Sequence, residues 1–182
     1  MPNLDPAQWA VAGLYALVLI AAGVSDFRVR KIPNWTVIAL IVLYAAWAFV
    51  NHAVDWKSGL MAFGIALVGS FALYLVKVVG AGDSKLFTAT ALFAGLKLLG
   101  AFALATALIG GVIALAFMLV NPKRVLRGLT KKGREELGKS RGIPYGVPIA
   151  LAGLLIMFAP FGATHDSAVA NLPKAGQLLP AR

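Results

Sequence analysis

The 35 residues Leu86–Val120 read LFTATALFAGLKLLGAFALATALIGGVIALAFMLV, and the fold turns on whether they cross a bilayer once or twice. As one straight helix the run would be about 52 Å long, against a hydrocarbon core of roughly 30 Å. The excess length predicts a hairpin turning near Lys97–Gly100. Its first arm is short and is expected to begin inside the bundle. Its second arm carries Ala103, Ala107 and Gly111 at four-residue intervals, a ridge of small residues suited to close helix packing in lipid.

Working outward, the remaining apolar runs are Trp9–Val24, Trp35–Val50, Gly59–Val79 and Ile143–Pro160. With 60% hydrophobic residues, 13% charged residues and a mean hydropathy of +0.83, the 182-residue chain carries more apolar surface than a soluble domain of this length can bury. The expectation is an all-α polytopic membrane protein, a bundle of about six transmembrane helices over residues 1–161. A basic loop at 121–142 is expected on the cytoplasmic side, and a flexible tail at 162–182. Ala62, Ala66 and Ser70 give the third run its own small-residue ridge. Trp35 and Trp56 suit interfacial anchors.

The formal net charge of +10 does not point to nucleic acid, because the basic residues gather between the apolar runs. In a six-span arrangement the basic segments 28–31 and 123–141 fall on one side. That side is expected to be cytoplasmic, with both termini outside. The N-terminus lacks a basic region and contains Asp5, so it does not read as a cleaved signal peptide. The absence of cysteine excludes disulfides, Cys-based zinc sites and a thiol nucleophile.

Two carboxylates stand where apolar runs give out. Asp26 follows the first run, and Asp83 follows the third within Gly80-Ala81-Gly82-Asp83-Ser84-Lys85. An ionisable group set so close to hydrocarbon is costly and points to function. Because they follow the first and third spans, both lie on the same membrane face. If the 86–120 hairpin forms, Pro144-Tyr145-Gly146 joins them there. Two close carboxylates in a low-dielectric site do not both ionise readily, so one can serve as acid and the other as base on a shared water. That chemistry hydrolyses peptide bonds without a covalent intermediate. A Ser-His-Asp scheme fails because His52 and His165 fall on the opposite face. No cluster has metal-ligand spacing, and no cofactor or metal is expected.

Simpler readings compete. Asp83 could pair with Lys77 or Lys85, and Asp26 with Arg28 or Lys31. Ser84 suits a local cap better than a nucleophile. Pro33, Asn34 and Pro144 suit helix starts, with Asn34 also a site contact in reach. A small proton- or ion-coupled transporter using the aspartates as a relay is the rival function, and a non-catalytic scaffold subunit a third. The transporter would need polar groups deep within the spans.

Three motifs carry a resemblance to a known family. Gly80-Ala81-Gly82-Asp83 matches the Gly-x-Gly-Asp motif of intramembrane aspartyl peptidases. Together with Ser-Asp-x-Arg-x-x-x-Ile-Pro-Asn at 25–34 and Ile-Pro-Tyr-Gly at 143–146, it resembles the type IV prepilin peptidases, and most of all the short forms serving Flp-type pili. The resemblance covers residues 10–160. It implies an endopeptidase of the bacterial inner membrane that removes the basic leader from a prepilin at the cytoplasmic face, with the bilayer and the prepilin as partners. It assigns Asp26 and Asp83 as the catalytic pair. Gly80, Gly82, Lys85, Pro33, Asn34, Pro144, Tyr145 and Gly146 are the candidates for shaping the site. Longer relatives also methylate the new N-terminus and carry a Cys-x-x-Cys domain, so methylation is not expected of a cysteine-free chain.

Overall fold

The computed structural model describes residues 5–51, 54–120 and 145–158. Expectations for the basic loop 121–142, Pro144 and the tail 162–182 lie outside the described residues. Those that are described are helical, without a strand: α1 (Pro6–Val29), α2 (Asn34–Val50), α3 (Trp56–Leu75), α4 (Ala81–Val120) and α5 (Gly146–Phe158). Helices α1, α3 and α4 are each long and apolar enough to cross a membrane, and α2 and α5 are shorter apolar helices. The chain is therefore an all-helical protein built for a bilayer.

The deciding stretch does fold back, but earlier than the sequence predicts. Within α4 the backbone breaks at Gly95, with φ 61° and ψ 178°. This region of backbone space is essentially closed to residues with a Cβ. The reversal is shown by Phe87 and Phe102, whose rings stack with centroids 4.7 Å apart. On a straight helix the same two residues would be about 22 Å apart. Lys97 belongs to the second arm, because that arm begins as soon as Gly95 has turned the chain. Its first free N–H, that of Leu96, donates to Ser58 Oγ at 2.9 Å. Ser58 is in turn placed by Asp55, whose Oδ1 accepts from the Lys57 and Ser58 N–H groups at the start of α3. One run of side chains thus caps two helices at this end of the bundle.

The first arm of α4, residues 81–94, is the centre of the protein. Ser84, Leu86, Ala89, Ala91, Leu92 and Ala94 are all buried along it. Small residues at so many positions let the neighbouring helices approach from several sides. Gly59, Ala62, Ala66 and Ser70 form the buried stripe of α3, as the four-residue spacing predicts. On the second arm the predicted ridge is rotated by one residue. Phe102, Thr106 and Gly110 face inward, while Ala103, Ala107 and Gly111 are exposed. The stacking of Phe102 on Phe87 and the close approach of Gly110 to Tyr145 and Pro148 fix that rotation. Helix α5 packs against both α1 and α4.

Candidate functional site

Asp26 does not follow the first helix, as its sequence position suggests, but lies inside α1 one turn before its end. The Arg30 N–H donates to the Asp26 carbonyl at 2.9 Å, and Arg30 closes the helix in a left-handed conformation with φ 59°. The Ser25 hydroxyl donates to the Lys31 carbonyl at 2.8 Å and folds the connection towards α2. The Asp26 side chain turns inward and is only 6% exposed. Its Oδ2 accepts a 2.7 Å hydrogen bond from the N–H of Gly146, the first residue of α5. A carboxylate from one helix therefore caps the N-terminus of another, where unpaired N–H groups favour negative charge. Glycine leaves the room this contact needs, because a Cβ on residue 146 would stand 2.7 Å from the Asp26 Cβ and 2.8 Å from Oδ2 and force one of them to shift.

Asp83 lies in the first turn of α4. The irregular backbone precedes it, in the turn after α3 where Lys77 adopts φ 61°. The carboxylate is half-buried, and the Gly80 backbone N–H and the Asp26 charge both act on it. Lys77 and Lys85 are not among the groups acting on Asp83. The basic group acting on Asp26 is Arg30, not Arg28 or Lys31. The four basic residues that competed in the sequence are thus not the ones acting on the carboxylates, and it is another neighbour, Arg30, that acts on Asp26.

Tyr145 and Gly146 connect them. Gly146 binds Asp26, while Tyr145 and Asp83 line two cavities in common. One, of about 410 Å³, is walled by Tyr74, Lys77, Gly80, Asp83 and Tyr145. The other, of about 400 Å³, is almost wholly apolar and runs between α3 and the second arm of α4. Ile32 packs beside Gly82, at 3.4 Å from where a Cβ would sit, so the α1–α2 connection closes on the same end. Pro33 ends that connection, and its carbonyl accepts from the Thr36 hydroxyl at 2.7 Å. Of the candidates read from sequence, Asp26, Gly80, Gly82, Asp83, Tyr145 and Gly146 come together. Asn34 and Lys85 are exposed, and neither acts on the carboxylates.

The family model for the type IV leader peptidase family matches residues 13–115, a stretch that contains both aspartates and the glycines beside Asp83. The chain belongs to that family. It is also 28% identical over 146 residues to the prepilin leader peptidase/N-methyltransferase of Bacillus subtilis (strain 168). The alignment covers 79% of this chain and 53% of the relative, so the chain spans about half the length of the curated relative it matches. No solved structure matches. The leader-peptidase match stops short of Tyr145 and Gly146, and these two residues are tied to the site by geometry instead. No group of His, Cys, Asp and Glu able to hold a metal ion occurs among the described residues.

Sequence reasoning treated Ser84 as a local cap, and the structure gives it a larger part. The Ser84 hydroxyl donates to Ser70 Oγ at 2.8 Å, and Ser70 and Thr88 hydroxyls share a 3.0 Å bond. This buried network joins α3 to the first arm of α4 directly beneath Asp83. The signal in the sequence was a hydroxyl residue in each of two otherwise apolar runs, at Ser70 and Thr88.

Proposed function

We propose that this protein is a membrane-embedded aspartyl endopeptidase that removes the basic leader from a type IV prepilin of the Flp type. In this reading Asp26 and Asp83 flank a water molecule. One, as carboxylate, takes a proton from the water while its oxygen attacks the scissile carbonyl carbon. The other, protonated, hydrogen-bonds the carbonyl oxygen and supplies the proton that leaves with the amine as the C–N bond breaks. The pair titrates as a unit rather than as two independent acids. The observation that carries the proposal is the gathering of both carboxylates around the Tyr145–Gly146 step, although they are remote in sequence. The basic segment 28–31 at this end supports placing it at the cytoplasmic face of the inner membrane, with both termini outside. The residues walling the cavities, Gly80 and Tyr145 among them, and Gly82 beside Ile32 shape the site rather than react.

The family match supports a peptidase over the transporter reading. The buried polar groups favour the same choice. Among the described residues the buried Ser and Thr groups are the hydroxyls of Thr36, Ser70, Ser84, Thr88, Thr90 and Thr106, which do not carry a titrating relay.

Asp26→Asn and Asp83→Asn test the proposal. Asparagine at position 26 still offers an oxygen to the Gly146 N–H, so the cap on α5 survives while the acid–base function is lost. Each variant should insert normally and slow prepilin cleavage by at least roughly 10²–10⁴-fold. Wild-type processing by either would refute the two-carboxylate mechanism.

A further inference from the structure

The apolar cavity between α3 and the second arm of α4 contains one unexplained group. Thr106 is 9% exposed, lines this cavity, and its Oγ1 has no hydrogen-bond partner. A helical threonine in an apolar setting ordinarily bonds back to the carbonyl four residues earlier. Two threonines on the first arm do so: Thr88 Oγ1 donates to the Ser84 carbonyl and Thr90 Oγ1 to the Leu86 carbonyl, each at 2.8 Å. Thr106 does not.

Its position across the hairpin is informative. The arms run antiparallel, with Phe87 stacked on Phe102. One turn further from the Gly95 break, the first arm reaches Asp83 and the second reaches Thr106. Both line the same cavity. Of the other hydroxyls there, those of Ser70 and Ser84 are bonded to each other, and Tyr145 also lines the wall. A water beside Thr106 would need two to four polar partners in a cavity whose lining is almost wholly apolar. An extended peptide is different, since it brings unpaired backbone N–H and C=O groups that require partners wherever water is excluded.

We infer that Thr106 is a substrate-contacting residue whose hydroxyl hydrogen-bonds the peptide backbone next to the scissile bond, with the apolar residues on one side of that bond lying in the cavity between α3 and α4. This rests on the endopeptidase reading above and adds to it a second point of attachment, in the cavity that Asp83 also lines. A lipid acyl chain would also fit an apolar cavity, but it would leave the hydroxyl unpaired.

The test compares Thr106→Val and Thr106→Ser with the wild-type chain in nanodiscs. The substrate is a peptide with a polar leader joined to an apolar helix of about 20 residues. Valine keeps the branched shape and removes the hydroxyl, whereas serine keeps the hydroxyl. A hydrogen bond made equally in the bound and transition states appears in KM. Thr106→Val should therefore raise KM by roughly 3- to 10-fold with kcat within about twofold. Thr106→Ser should restore KM. The melting temperature of Thr106→Val should be no lower than wild type, because no internal hydrogen bond is lost. An unchanged KM in Thr106→Val would overturn the inference and leave the peptidase reading intact, as would a lowered melting temperature that serine restores, which would show that the hydroxyl bonds within the protein. Failure of the wild-type chain to cleave would bring down the peptidase reading, and the inference with it.

Discussion

Gly146→Ala probes the contact on which the site's geometry depends. An added Cβ would lie 2.7 Å from the Asp26 Cβ, 2.8 Å from Oδ2 and 2.9 Å from Cγ, where ordinary contact begins at 3.4 Å. Something must therefore move by about 0.7 Å. Helix α5 has little room to retreat from α1 as a rigid body without losing contacts further along. Gly23 is packed against Ala150, and the Tyr15 hydroxyl donates to the Gly153 carbonyl at 3.3 Å. The Asp26 side chain is the group that yields, and with it the 2.7 Å bond from the Gly146 N–H is strained or lost. A misplacement of about 1 Å in a catalytic group costs on the order of 10²-fold in rate. Overpacking at a tight contact costs about 1–3 kcal/mol of stability. We expect Gly146→Ala to fold, to melt at a lower temperature and to cleave prepilin roughly 10- to 100-fold more slowly, measured by single-turnover cleavage beside a thermal melt. Gly80→Ala should be milder, because its Cβ would meet only the tip of the Asp83 carboxylate, at 2.9 Å from Oδ2. Gly64→Ala, with nothing within 4 Å, should match wild type. A Gly146→Ala protein that cleaves within twofold of wild type would refute the reasoning that Asp26 acts from the position this contact gives it.

At the opposite end, Ser58→Ala removes the oxygen that accepts the Leu96 N–H. It should cost about 1 kcal/mol of stability by denaturation, with the reactive end unaffected, and an unchanged stability would deny Ser58 its capping role. Single cysteines introduced into this cysteine-free chain should sort by end. Arg28→Cys and Lys85→Cys should label from the cytoplasmic side, and Lys57→Cys and Lys97→Cys from the other, all four positions being exposed. Labelling of all four from one side would break the transmembrane arrangement.

The outline of this fold was legible because length is a hard constraint in a bilayer. A run of 35 apolar residues does not fit one crossing, so the chain had to reverse within it. The location of the reversal was harder to read. Lys97 and Gly100 attract attention as a charge and a breaker, but Gly95 is the residue that can occupy the required backbone region and also has Ser58 waiting on another helix. That second condition is tertiary and leaves no local trace. The rotation of the second arm was missed for the same reason. Ala103, Ala107 and Gly111 have the spacing of a ridge, yet the face one residue away carries Phe102, whose ring finds Phe87. The aspartates and the glycines beside them could be read directly, since each breaks an apolar pattern. Thr106 could not, because a lone threonine in a hydrophobic run is ordinarily satisfied by its own helix.

Span parity could place Asp26 and Asp83 on one face but could not bring them within reach of each other. At Tyr15 and Phe93, whose ring centroids are 4.2 Å apart, α1 and α4 meet directly. Near the aspartates the start of α5 serves both helices, with Gly146 bound to Asp26 and Tyr145 beside Asp83. The Asp26 carboxylate is thus held partly by a third element and not only by the helix that carries it. It follows that the position of the α5 N-terminus bears directly on where the Asp26 carboxylate sits. It also follows that glycine suits position 146 best: the capping bond to Asp26 and the lack of a side chain coincide there, and a larger residue keeps both only by displacing Asp26.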